Sequence, residues 1–282
     1  MKKKVHFLTG AVFTVMLFAV LSCGVGEPSD ITYTITPDRG TDGPTAKLIF
    51  TFVPALSTLM PEDITLTNGT GNVTKGGLNG NALDITVNTA GTITVKITKS
   101  GVESAPKTVR VYNTPYAIGE TGPGGGIIFY GPNTFTSNSK PCKYLEAAPA
   151  DISGTFMWGS EPNWKNWAIT PVGAAQATAI GTGYANTAAI LAADTVGPPA
   201  ALACRNYISP APYSKNDWFL PSKDELNKLY ENIGGLSGDF WSSSELTAHP
   251  FCAWFLSNGN WINVQVDSSK EHTYLVRPVR AF

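Results

Sequence analysis

Histidine and cysteine are scarce in this chain, and tryptophan is missing from its first half. Of three histidines, only His249 and His272 lie beyond the leader region, and they are not spaced as a metal pair. A zinc centre is therefore not expected. The hydroxyl run Ser242-Ser243-Ser244 has no predictable histidine partner, so the base that serine hydrolysis needs is lacking. Charge is sparse as well, with 15% Asp, Glu, Lys and Arg. With Lys2, Lys3 and Lys4 set aside as part of a leader, 17 basic residues face 21 acidic ones, a net charge of −4. Phosphate backbones demand a basic footprint, so nucleic acid is not an expected partner. Glycine (28) and proline (20) are plentiful, which suits many turns and short strands rather than long helices. At 282 residues and 43% hydrophobic, the chain is large enough for two ordinary domains.

The start of the chain reads as a targeting segment. Lys2-Lys3-Lys4 form a basic region, Val5 to Leu21 is nearly all apolar, and Val20-Leu21-Ser22-Cys23 closes the run. This resembles the lipobox of bacterial lipoproteins, in which the cysteine is acylated and becomes the first residue. Residues 1–22 are then the signal peptide, Cys23 the lipidation site, and 23–30 a short polar tether. Stable attachment to a membrane takes more than one acyl chain, which a diacylated cysteine supplies. An ordinary secretory signal with an incidental cysteine is the rival. Gly24 carries no retention charge, and by resemblance to lipoprotein sorting this favours an outer membrane or cell-surface location.

From Ile31 to Tyr112 the pattern is all β. The runs at 31–36, 46–52, 63–68, 82–87, 92–98 and 107–112 alternate or carry β-branched residues. Turn signals stand between them at Asp42-Gly43-Pro44, Asn68-Gly69, Lys75-Gly76-Gly77, Ala90-Gly91 and Ser100-Gly101. Such spacing predicts an Ig-like sandwich over 31–112, one without an inter-sheet disulfide because the span holds no cysteine. The segments MPEDITLTNGTGNVTKG and GTITVKITKSGVESAPKTVRVY resemble bacterial Ig-like repeats of surface proteins.

All seven tryptophans follow residue 157, which marks a second kind of domain over 113–282. Its first motif is Gly122-Pro123-Gly124-Gly125-Gly126, followed by Ile127 to Tyr130. A phosphate-binding loop would need a helix after the glycines, whereas these lead into a strand; a tight turn is the better reading. Tyr144 to Ala148 reads as a short strand, and 186–207 as Ala-rich helix interrupted near Gly197-Pro198-Pro199. Ser222 and Glu225 have the spacing of a capping box, ahead of Leu226, Leu229, Tyr230 and Ile233 at helical intervals. Gly234-Gly235 ends that helix, and Phe240 to Ser244 reads as a strand. Ala253–Leu256 and Trp261–Val266 flank Ser257-Asn258-Gly259-Asn260, a hairpin signal. Thr273 to Phe282 is the last strand.

The blocks GPGGGIIFY, YLEAAPAD, WFLPSKDELNKLYENI, FWSSSE, AWFLSNGNW and VRPVRAF resemble, in that order, the Lcl C-terminal domain family of bacterial surface proteins. The resemblance implies a C-type-lectin-like α+β fold, in which the first and last strands pair, here Ile127–Tyr130 with Tyr274–Val279. It also implies binding of host or matrix glycans and proteins. Three cysteines remain after lipidation, so an exported chain is expected to hold one disulfide and one thiol. Three pairings are possible; the resemblance, in which the Ala-rich helix often carries a lone buried cysteine at the place of Cys204, implies Cys142 and Cys252 as the disulfide candidates. Glu161-Pro162-Asn163 spells a calcium-binding tripeptide of some lectins, but its place and its missing partner motif argue against a calcium site.

Aromatic faces and amides are the expected binding groups: Trp261, with Asn258, Asn260, Asn263 and Gln265 around the hairpin. Trp254 is expected in the core. No cofactor and no metal are called for. The reading is a non-catalytic surface lipoprotein whose partner is a glycan, a protein or an envelope component, with the membrane reached through the lipid. Two rivals stand beside it: a structural envelope protein with no specific ligand, and an enzyme on the same fold using a cysteine.

Overall fold

The computed structural model describes residues 31–56, 58–159, 175–193, 199–211, 213–257 and 264–282. The molecule is mostly β-sheet with few helices. Its first part carries β1 (Tyr33–Asp38), β2 (Lys47–Phe52), β3 (Ile64–Asn68), β4 (Asn72–Asn79), β5 (Ala82–Thr89), β6 (Gly91–Lys99), β7 (Val102–Glu103) and β8 (Lys107–Val111). One sheet has the order β1-β2-β5-β4; in the other, β6 pairs with β3, β7 and β8. All these pairs are antiparallel.

Alternation decides which side of each strand is buried. On β6, Ile93, Val95 and Ile97 point inward, with Val109 and Val111 of β8 beside them. Leu48 and Phe50 of β2 and Leu83 and Ile85 of β5 meet them from the other sheet in one shared core. The Tyr33 hydroxyl crosses that core to donate to the Val95 carbonyl at 2.7 Å.

The structure departs from the expected turn at 75–77. Lys75-Gly76-Gly77 is not a turn but lies inside β4. The register slips between Lys75 and Leu78, where the pairing moves from Ile85 to Leu83. β4 is an edge strand, and a bulge there absorbs the two glycines without ending the ladder.

The second part begins with β9 (Ile127–Tyr130), β10 (Phe135–Ser137), β11 (Lys140–Cys142), β12 (Leu145–Ala147) and β13 (Phe156–Met157). Three helices follow, α1 (Gly183–Ala193), α2 (Pro199–Asn206) and α3 (Lys223–Ile233). Then come β14 (Asp239–Glu245), β15 (Cys252–Ser257), β16 (Val264–Ser269), β17 (Thr273–Tyr274) and β18 (Val279–Ala281).

The expected direct pairing of first and last strands is also corrected. β12 stands between them, in the order β18-β12-β9. Leu145 is opposite Ala281 on one side and Tyr130 on the other. Leu145, Glu146 and Ala147 are all fully buried, and a strand covered on both faces belongs in the middle of a sheet. Phe219 continues the layer through paired 2.9 Å bonds with Val279. A second antiparallel sheet, β14-β15-β16, carries the hairpin, with Ser257 opposite Val264. Residues 258–263, including the expected Asn258-Gly259 turn, lie outside the described residues.

The helix α3 forms as its sequence predicts. Ser222 Oγ accepts from the Glu225 N–H at 3.3 Å, and Glu225 Oε2 accepts from the Ser222 N–H at 2.7 Å. Leu226 and Leu229 are buried against Phe129, Phe240 and Leu256. Gly234, at φ 67°, returns its N–H to the Tyr230 carbonyl at 3.0 Å.

Candidate functional site

The glycine cluster proves to be a cradle, although not for phosphate. Glu146 of β12 is fully buried and points its carboxylate at the turn. Gly124 N–H donates to Oε1 at 2.9 Å and Gly126 N–H to Oε2 at 3.0 Å. A methyl group on Gly122 or Gly124 would meet that carboxylate well inside contact distance. Arg280 of β18 completes the site, donating from Nη1 to Glu146 at 2.8 Å and from Nε to Asp217 at 2.5 Å. Burial pushes the Glu146 carboxyl up from the usual range, against the downward pull of Arg280 and the two N–H groups. The anion that these glycines hold is therefore supplied by the chain itself.

Next to this turn the two parts of the chain are locked together. Arg39, after β1, is buried with its guanidinium between two rings, 3.9 Å from the Tyr112 centroid and 4.1 Å from that of Tyr116. Its Nη1 donates to Glu120 at 2.7 Å, its Nη2 to the Thr114 carbonyl at 3.1 Å, and its Nε to the Gly43 carbonyl. Each nitrogen of the fork is thereby engaged with the connecting segment or with its own loop. Lys143 adds an exposed ion pair to Asp42 at 2.6 Å. Tyr116 packs edge-on against Tyr144 and Phe282, each at 5.5 Å, so the beginning and end of 113–282 meet at the joint.

A half-open cleft of about 650 Å³ lies along this joint. Thr36, Asp38 and Thr51 line it from the first sheet; Tyr213, Lys215 and Arg280 line it from the second part. A volume of this size, at a junction between two cores, is the ordinary setting of a small-molecule site.

Glu225, Lys270 and Glu245 are spent on the fold. Glu225 is fully buried, and besides Ser222 it accepts from the Gly181 N–H at 2.8 Å. Burial raises its pKa to about 7 in spite of these bonds. Lys270 and Glu245 form an ion pair with both side chains fully enclosed, and the Lys270 ammonium lies 4.5 Å from the Trp158 ring centroid. Burial lowers the Lys270 pKa, opposed by its carboxylate partner. Glu245 Oε2 is buried without a hydrogen-bond partner among the described residues.

The expected Cys142–Cys252 bond is not formed: Cys142, Cys204 and Cys252 are all free thiols. Cys142 ends β11 in its small hairpin with β10, whereas Cys252 opens β15 in a different sheet. Cys204 is fully enclosed on α2, and burial raises the pKa of all three thiols. Trp254 is not core as expected but half-buried, with the Lys223 ammonium 3.5 Å from its ring centroid. Strand alternation puts it on the opposite side of β15 from Ala253 and Phe255.

Of the expected binding residues, Gln265 is on β16 opposite Leu256. Asn258, Asn260, Trp261 and Asn263 lie outside the described residues, as do Cys23 and Glu161-Pro162-Asn163. Among the described residues there is no cluster of metal-ligating side chains, and no helix long and apolar enough to cross a membrane. The cleft residues Asp38, Tyr213 and Lys215 carry no local signal, because residues so far apart in sequence have no shared periodicity.

No protein-family model and no curated protein matches the chain.

Proposed function

We propose that the chain is a bacterial surface lipoprotein: acylated at Cys23, carrying an Ig-like stalk over 31–112 and a C-type-lectin-like head of the Lcl C-terminal type over 113–282. The head binds a glycan or protein without catalysis. The observation that carries this reading is the meeting of the head's two ends. Tyr116 and Phe282 pack together at 5.5 Å, beside the Arg39 joint to the preceding sheet. A module anchored by both ends at one place leaves the rest of its surface available to a partner. The β15–β16 hairpin, with Trp261 and its neighbouring amides, is the proposed binding rim.

Its test is a screen of the purified chain against glycans, matrix proteins and envelope fractions, repeated with Trp261→Ala and Asn260→Ala. A specific partner that each variant binds about tenfold more weakly is the expected result. Silence against every partner class favours the purely structural role, and binding indifferent to both substitutions removes the hairpin as the rim.

A further inference from the structure

We infer that the cleft at the joint is a second ligand site, one that takes a hydroxylated monocarboxylate of the sugar-acid class. Three of the charged groups lining the cleft, Arg39, Glu120 and Arg280, are already used. Arg39 and Glu120 neutralise each other at 2.7 Å. Arg280 commits Nε and Nη1 to Asp217 and Glu146. Lys215 is different: among the described residues no carboxylate lies within ion-pair reach of it. Its backbone is nonetheless fixed, because Ser209 N–H donates to the Lys215 carbonyl at 2.9 Å and Lys215 N–H donates to Ser209 Oγ at 2.9 Å. Trp218 Nε1 donates to the same carbonyl at 3.0 Å. The cleft thus has an ammonium with no ion-pair partner among the described residues, on a well-held loop.

The opposite wall has the complementary chemistry. Asp38 accepts from the Gly40 N–H through Oδ1 at 2.9 Å, and Oδ2 has no donor among the described residues. The Thr36 and Thr51 hydroxyls stand on the same wall. A ligand bridging the two walls needs an anionic group for Lys215, with Arg280 Nη2, which has no acceptor among the described residues, on the same side. It needs hydroxyl or amide donors for Asp38, and a ring face for Tyr213. A sugar acid has all three, and carboxylate–ammonium bonds are the stronger kind of hydrogen bond. The Arg39 lock holds both walls in place before binding, so little ordering is left for the ligand to impose. This site is separate from the hairpin rim, and either can fail while the other stands.

The experiment is a calorimetric titration of the purified chain with N-acetylneuraminic acid, and with the neutral sugar N-acetylglucosamine. Saturable binding of the acid, about tenfold tighter than that of the neutral sugar, is expected. Lys215→Gln and Asp38→Asn should each weaken the acid by about tenfold with unchanged thermal unfolding, while Trp261→Ala leaves it unaffected. The inference is overturned by an absence of saturable heat with the acid, by preference for the neutral sugar, or by full binding in Lys215→Gln.

Discussion

Arg39 Nη1 lies 2.7 Å from Glu120 Oε2, and this pair ties the loop after the first strand to the segment that enters the second part of the chain. The two residues are 81 positions apart. Arginine suits the place because its flat guanidinium can stack on Tyr112 and Tyr116 while its edge donates to oxygen.

Replacing Arg39 with alanine should cost about 3 kcal/mol, since it strands a partly buried carboxylate and removes two ring contacts. The loss should be local to the joint. Limited proteolysis is expected to cut between residues 112 and 121 in Arg39→Ala and to spare that segment in the unaltered protein. Equal resistance in both would mean that the tyrosines alone hold the joint.

Two glycines should respond differently to the same change. In Gly124→Ala the new methyl group is driven into the Glu146 carboxylate, and overpacking of this kind costs about 1–3 kcal/mol. Gly234 has open space around it but a φ of 67°, so Gly234→Ala carries only a backbone penalty of about 1 kcal/mol. Denaturant midpoints would rank them, and Glu146→Ala combined with Gly124→Ala should recover the steric part of the loss.

The Glu225 carboxyl makes stability depend on pH. Its pKa rises from an ordinary 4.5 to about 7 on folding, so the folded protein binds this proton more tightly than the unfolded chain. The contribution is fully present below about pH 4.5 and is lost as pH climbs through 7, by about 3 kcal/mol in total. The stability difference between the unaltered protein and Glu225→Gln should therefore shrink between these values and level off above pH 8. A difference that stays flat from pH 4 to 8 would show an ordinary carboxylate.

Lys270 and Glu245 test whether a buried pair stabilises or merely avoids a worse outcome. Removing one partner, as in Lys270→Met, leaves the Glu245 carboxylate enclosed without its counter-ion and should cost about 3–5 kcal/mol. Replacing both, Lys270→Met with Glu245→Leu, should cost less than either single change, because burying two ions is itself expensive. A double-mutant cycle from urea unfolding measures this; simple additivity would refute coupling.

Much of the fold could be read locally. The strands β1, β2, β3, β5, β6 and β8 follow from alternation, and α3 follows from Ser222, Glu225 and two closing glycines, because these signals act over a few residues. β4 escaped because its glycines look like a turn until a neighbouring strand is present to carry the bulge. The place of β12 escaped for a related reason: YLEAA says that a strand is buried, but not which two strands will cover it. The thiols show the same limit, since counting cysteines cannot tell which sheets will carry Cys142 and Cys252.

Composition and short-range pattern by themselves determined a β-rich chain with few helices and the capped helix at 223–233. Only the tertiary structure decided what the buried charges do. Glu146 fills the glycine turn, Arg39 locks the joint, and Lys215 faces a cleft built from both parts. The physical reason is that strand and helix signals depend on neighbours along the chain. The partner of a buried ion is whatever the folded topology brings within hydrogen-bond reach, here as far as 134 residues away between Glu146 and Arg280.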